Sequence, residues 1–232
     1  VAQVAARWAT FDCYGTLIDW EGGISGAFAE LWPDADPLAL LRAYHRIEPE
    51  VQRGRAISYR QVLGETLAGV AAEAGLPLAD GGREALAESL PSWPPFPEVP
   101  AALEALRARG WRLGILSNTD PDLLAASVDN IGVPVDASVT AAEAGSYKPA
   151  HGHWRFFFDQ AGADRDHHVH VAASLTHDIA PCAELGLTAV WINRPGDATD
   201  RSDELLNLPR AAELPDLAAL PDTLDRLRQP AS

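Results

Sequence analysis

Trp8-Ala9-Thr10-Phe11-Asp12-Cys13-Tyr14-Gly15-Thr16 is the stretch whose reading decides the fold of this chain. Trp8 to Asp12 reads as a short buried strand, and Tyr14-Gly15-Thr16 follows at once as a turn. A carboxylate at the end of an apolar strand, just before a glycine turn, stands on a rigid platform and suits a nucleophile. It equally suits a helix cap, and Asp12 alone does not choose between the two. Thr16, four residues on, can donate to Asp12 or cap the next helix.

Further along, Arg112–Ser117, a weaker segment within Val133–Thr140, Val169–Ala173 and Ala189–Ile192 read as further strands. Helical patterns at Val99–Arg109, Pro121–Ile131, His153–Ala161 and Asp178–Leu185 separate them, the first stopping at Gly110, a good residue just past a helix end. The alternation predicts an α/β fold, a parallel sheet covered on both faces. Reactive side chains in such sheets gather at the carboxyl ends of the strands. Asp12, Ser117, Lys148 and Asp178 all fall at or just past predicted strand ends.

Residues 21–92 break the alternation. Phe28/Leu31, Leu40/Leu41/Tyr44/Ile47, Tyr59/Val62/Leu63/Leu67 and Ala85/Leu86/Leu90 have helical spacing, and the run closes on the stiff Pro91-Ser92-Trp93-Pro94-Pro95-Phe96-Pro97. This predicts a helical cap domain over 21–92, inserted into a core domain of 1–20 and 93–232. The polar stretch Asp197–Pro209 is expected at the surface.

The chain has 232 residues, enough for one large domain or a core with an insertion. Its formal charge of −15 argues against nucleic acid and anionic membrane surfaces as partners. It leaves room for a small anionic substrate in a local cationic pocket. No apolar run is long enough to span a bilayer. Val1–Arg7 does not read as a signal peptide, and Cys13 and Cys182 are too few for a disulfide framework. A reducing, cytoplasmic setting is the expectation.

Of the 18 Lys and Arg residues, Lys148 is the only lysine. A position that keeps a compact ammonium where the chain otherwise uses Arg reads as a charge clamp, or as a leftover surface residue. Ser117-Asn118 end the second strand with a hydroxyl and an amide, close to a helix start near Asp120. Lys148 follows Ser117 by 31 residues, and Asp178 follows Lys148 by 30. Each signal alone is weak, and helix capping accounts for Ser117, Asn118 or Asp178 singly. In Asp166-His167-His168-Val169-His170, two histidines would share one strand face; a polar loop leading into a buried strand is preferred to a metal site.

Together and in this order the signals resemble the haloacid dehalogenase superfamily, over nearly the whole chain. Phe11-Asp12-Cys13-Tyr14-Gly15-Thr16-Leu17 is similar to its first motif, Leu116-Ser117-Asn118 to its second, Lys148-Pro149 to its third, and Ser174-Leu175-Thr176-His177-Asp178 to its fourth. The resemblance implies a Rossmann-like core, a four-helix cap and Asp12 as nucleophile. Tyr14 stands where phosphatase members carry a second Asp that serves as general acid. Asp-x-Tyr-Gly-Thr is similar to the L-2-haloacid dehalogenase branch, which implies no metal and no other cofactor.

The implied reaction is a two-step hydrolysis of small 2-haloacids. Asp12 displaces halide and forms an ester, and a water activated with Asp178 hydrolyses it. The resemblance implies that Lys148 holds Asp12 ionised and that Ser117 binds the substrate carboxylate. It gives Asn118 and a cap arginine, Arg42 or Arg46 with Arg42 preferred, to the halide. Trp20 and Trp154 are expected as an aromatic wall, with Tyr14, Ser174 and His177 also against substrate. This chain departs from the branch at Trp154, where a Tyr is usual, and at Ala173, Leu175 and His177, where Ser, Asn and Trp are usual. A homodimer joined through the cap is also implied. The alternatives are another hydrolase on this scaffold, either a Mg²⁺ phosphatase or an enzyme opening a carbon–nitrogen bond in a small strained amino acid, and a catalytically silent binding module.

Overall fold

The computed structural model describes residues 5–55, 57–194 and 202–227. Strand β1 (Arg7–Phe11) is followed by four helices, α1 (Trp20–Leu31), α2 (Pro37–Gln52), α3 (Tyr59–Ala74) and α4 (Ala85–Ser89). Helix α5 (Val99–Ala108) then leads to β2 (Trp111–Ser117), α6 (Pro121–Ile131) to β3 (Ala137–Thr140), and α7 (Ala141–Ala144) and α8 (Gly152–Ala161) to β4 (His168–Ala172). Helix α9 (Ala180–Leu185) precedes β5 (Ala189–Ile192), α10 (Asp203–Leu206) precedes β6 (Ala212–Leu214), and α11 (Leu220–Leu227) comes last.

The strands form one sheet in the order β3-β2-β1-β4-β5-β6. All the pairings are parallel, which is the doubly wound α/β architecture that the alternation predicts. The order reverses between β1 and β4, so the crevice above their carboxyl ends is the natural place for a ligand. Side-chain alternation divides the core. Ala9, Phe11, Leu113, Ile115, Val169 and Val171 face one side with α5 and α11, while Trp8 and Leu116 face the other with α8 and α9.

Sequence and structure differ where elements are short. Strand β6 has three residues, too few to show a period, and one of them is exposed. Helices α7 and α10 have four residues each. The helix expected to open at Asp178 starts at Ala180 instead, behind a wider π turn over Leu175–Ile179. Of the stretch expected at the surface, residues 197–201 lie outside the described residues; most of the remainder is exposed.

The inserted helices start where acceptor side chains cap them. Asp19, Asp36 and Ser58 take the free N–H groups of Gly22, Leu38 and Gln61. Helix α3 carries a reciprocal box with Gln61 and ends on Gly75 at φ 65°. Phe28, Tyr44, Leu63, Leu67 and Val70 bury the inner faces in a core continuous with that of the sheet. Residues 57–60 are fastened to the sheet side. The Asp120 carboxylate accepts from Tyr59 N (3.0 Å) and Arg60 N (2.9 Å), Arg60 pairs with Asp122, and the Tyr147 hydroxyl donates to Ile57 O at 2.7 Å.

Candidate active site

Asp12 is the first residue past β1, and its N–H still donates to Val171 O across the sheet at 3.1 Å. The chain then turns at Gly15, φ 84°, where a Cβ would lie 2.9 Å from Trp20 Nε1. A side chain there would be strained and would displace Trp20. Arg194 braces the turn from outside, donating to Thr16 O at 2.7 Å and Gly15 O at 3.2 Å, with its guanidinium 3.5 Å over the Phe96 ring. Asp12 is left 8% exposed, with Oδ1 accepting from Lys148 Nζ (2.7 Å) and Oδ2 from Thr16 Oγ1 (2.9 Å). Thr16 Oγ1 accepts in turn from Ala173 N at 2.9 Å, tying the β1 turn to the end of β4.

The Lys148 ammonium spends its three protons on three acceptors: Asp12 Oδ1, Asp178 Oδ1 (2.7 Å) and Leu116 O (2.9 Å). Asn118 docks the backbone of Lys148 on both sides, donating from Nδ2 to Lys148 O at 3.0 Å and accepting from Lys148 N at 2.6 Å. One cation thus serves two buried carboxylates. Burial pushes the Asp12 carboxyl up; Lys148 opposes this and the neighbouring Asp178 charge adds to it. Asp178 is also penalised by burial, yet Lys148 and His170 together hold its carboxyl below the ordinary range. Burial disfavours charge on Lys148 too, and the two carboxylates carry its ammonium above the usual lysine value.

Asp12, Lys148 and Asp178 border a cavity of about 490 Å³ that Tyr14, Trp20, Ser117, Asn118, Ser174 and His177 also line. The Tyr14 hydroxyl points away to Ser127 Oγ at 2.9 Å, and burial pushes its pKa further up, so it stays protonated and presents its ring. Two expectations are corrected. Arg42 is 69% exposed and pairs with Asp36 at 3.8 Å, and Arg46 pairs with Glu73, so neither borders the cavity. Trp154 is fully buried beneath the sheet, edge-on to His170, and does not reach the cavity wall. Asn118 borders the cavity as expected, and it also clamps the Lys148 backbone through its oxygen and one of its two amide hydrogens.

Helical phase explains the arginines. The cavity side of α2 carries Tyr44, His45, Glu48 and Gln52, spaced at three and four residues, and Arg42 and Arg46 fall on the neighbouring face. These wall residues were legible from the Leu41/Tyr44 phase, but not from a search for cations. His45 stacks on Trp20 at 5.2 Å, and Glu48 accepts from Gln52 Nε2 at 2.6 Å. Burial raises the Glu48 carboxyl to about 7, with His45 and Gln52 opposing. The folded chain therefore holds this proton above the pH at which the unfolded chain loses it, and stability falls as pH rises from the ordinary carboxylate range through 7. Denaturant melts should show Glu48→Gln gaining on the parent between pH 5 and pH 8, by at most about 3 kcal/mol. A constant difference across that range would remove Glu48 from this role.

Strand β4 opens at His168, one residue before the expected strand start, and His170 lies within it as expected; both are fully buried. Among the described residues, no three His, Cys, Asp or Glu side chains are grouped so as to hold a metal ion. No helix among them is long and apolar enough to cross a membrane.

A family model of haloacid dehalogenase-like hydrolases matches residues 6–186. Haloacetate dehalogenase H-2 of Moraxella sp. (strain B) is 28% identical over 195 residues, covering 82% of this chain and 87% of that protein. The (S)-2-haloacid dehalogenase of Pseudomonas sp. (strain YL) is 27% identical, covering 90% of this chain and 94% of its own. The L-2-haloacid dehalogenase structure from Xanthobacter autotrophicus superposes with a TM-score of 0.81 at 19% identity, over 95% of this chain and 98% of that one, a likeness of fold.

Proposed function

Because the chain belongs to the haloacid dehalogenase-like hydrolases, we propose that it hydrolyses small 2-haloacids, haloacetates and L-2-haloalkanoates, to 2-hydroxy acids. The observation that carries this is the dressing of Asp12. Both of its oxygens are held, by Lys148 and Thr16, at the floor of a cavity, and the residue two positions on is a tyrosine turned away to Ser127. In the superfamily this chain resembles, phosphatase members carry a second carboxylate where Tyr14 stands. The relatives named for haloacetate and (S)-2-haloacid dehalogenation support the same reading.

In the first step an Asp12 carboxylate oxygen attacks the carbon bearing halogen. The carbon–halogen bond breaks, its electron pair leaves with the halide, and an ester joins Asp12 to the substrate. In the second step water gives a proton toward Asp178 and attacks the Asp12 ester carbonyl. The bond between the acyl carbon and the substrate oxygen breaks, that oxygen takes one of the two water protons to give the 2-hydroxy acid, the other is lost to solvent, and the carboxylates of Asp12 and Asp178 are restored. Lys148 faces both carboxylates throughout. The Ser117 hydroxyl takes the substrate carboxylate, and Trp20 and Tyr14 wall the carbon skeleton. A homodimer through the helices of 21–92 and a cytoplasmic setting belong to this proposal; native mass spectrometry tests the first.

Glu48 favours a second reading. Halide departs without a proton, whereas a leaving nitrogen requires one, and a wall carboxyl titrating near 7 can supply it. Opening of a carbon–nitrogen bond in a small cyclic amino acid would use the same Asp12 ester. The deciding experiment is a panel of fluoro-, chloro- and bromoacetate, both 2-chloropropionates and azetidine-2-carboxylate, assayed in EDTA. Halide release with transient mass added at Asp12 is expected. Ring opening without halide release would establish the second reading, and phosphate release from p-nitrophenyl phosphate in a parallel assay, with Mg²⁺ in place of EDTA, would discard both.

A further inference from the structure

A row of buried polar groups runs from Asp12 into the core beneath the sheet. Asp12 Oδ1 meets Lys148 Nζ at 2.7 Å, Lys148 Nζ meets Asp178 Oδ1 at 2.7 Å, and Asp178 Oδ1 meets His170 Nε2 at 2.9 Å. His170 Nδ1 is then 2.8 Å from Thr10 Oγ1, which is 2.7 Å from His168 Nε2. Asp178, His170, Thr10 and His168 are each 0% exposed. The order follows from register, since Thr10 pairs with His170 across the β1–β4 ladder and His168 lies two residues back on the same face.

The acceptors fix the hydrogens. A carboxylate only accepts, so the His170 proton facing Asp178 is on Nε2. In the neutral ring Nδ1 then accepts from the Thr10 hydroxyl, and the Thr10 oxygen accepts from His168 Nε2. Trp154 meets the His170 ring edge-on at 5.4 Å and fixes its plane. Ala173 and Leu175, beside Asp178 in the chain, have no polar side-chain atoms to hold it. Among the described residues, the donors to the Asp178 carboxylate are Lys148 and His170, the latter from the strand below.

We propose that His170 is a positioning residue for Asp178, holding its carboxylate in the orientation that ester hydrolysis requires. The inference rests on the two-step reading above. Without the His170 donor, Asp178 draws wholly on Lys148, and the carboxylate that must meet the water is free to turn. The effect belongs to the second step, because Asp12 keeps both of its own partners.

The test follows chloride release from chloroacetate in the parent chain, His170→Leu and His170→Gln, together with the fraction of Asp12 carried as ester. His170→Leu should keep the first-turnover burst, slow the steady state on the order of 10²-fold and accumulate ester. His170→Gln restores a side-chain N–H donor and should recover at least tenfold of that loss. An unchanged steady state, equal slowing of burst and steady state, or no recovery with Gln in a folded protein would each overturn the proposal. A separate readout does not need turnover: the His170 Nε2 proton should be exchange-protected by NMR and lose that protection in Asp178→Ala. Absence of halide release from the parent counts against the dehalogenase reading, whereas absence of that protected proton counts against His170.

Discussion

Asp12→Asn should release no halide above background, a fall on the order of 10⁵-fold or more in kcat. The substitution is isosteric, so Thr16 and Lys148 keep a partner of the same shape, and what disappears is the negative charge of the proposed nucleophile. Stability should move the other way. In the parent, Asp12 and Asp178 share one ammonium at 2.7 Å each, and burial penalises both carboxylates. Removing one buried charge leaves the remaining pair balanced, so the melting temperature of Asp12→Asn should equal or exceed that of the parent. Measurable turnover in this variant, with no reversion to Asp by mass, would mean that another group attacks the substrate. A large drop in melting temperature would mean that the three-way clamp is a net support of the fold.

Lys148→Arg should lose most activity while keeping the charge, roughly 10³-fold in kcat. The ammonium directs three protons from one nitrogen to Asp12 Oδ1, Asp178 Oδ1 and Leu116 O, at 2.7, 2.7 and 2.9 Å. A planar guanidinium spreads its donors over three nitrogens and needs more room than a site 2% exposed provides. Either Asp12 or Asp178 must move to admit it, and both proposed steps depend on their positions. Lys148→Ala is expected to be worse for folding, because two buried carboxylates then stand uncompensated, at a cost of about 3–5 kcal/mol. Near-normal turnover in Lys148→Arg would reduce Lys148 to a generic positive charge.

How much of this was legible in the sequence depends on how far apart the meeting residues lie. The β1 platform, the Gly15 turn and the strand-end position of Ser117 follow from local pattern, since strand, turn and polar residue are consecutive, whereas Lys148 lies beyond α7 and Asp178 beyond the start of a π turn. The sheet follows from alternation, except at β6, whose three residues are too short to show a period. The α2 wall was half legible. The phase through Leu41 and Tyr44 points to Glu48, but an expectation of a cation directed attention to Arg42, which the same phase turns outward. His170 was visible as a strand residue sharing a face with His168. What it touches was not, because Thr10 lies 160 residues away and Asp178 sits in a π turn that no local rule announces. Asn118 shows the same limit: a side chain aimed at a cavity cannot be told from one that grips the loop opposite.

The fastening of residues 57–60 has a mechanical meaning. This short segment is gripped by Asp120, two residues after Asn118, and by Tyr147, the residue before Lys148. Asn118 and Lys148 are themselves locked backbone to side chain. The start of α3 and the two loops that hold the ammonium are fastened to one another at neighbouring residues. Loss of the Asp120 carboxylate or the Tyr147 hydroxyl should therefore loosen residues 57–60 and, through the adjoining Asn118 and Lys148, disturb the placement of the ammonium as well.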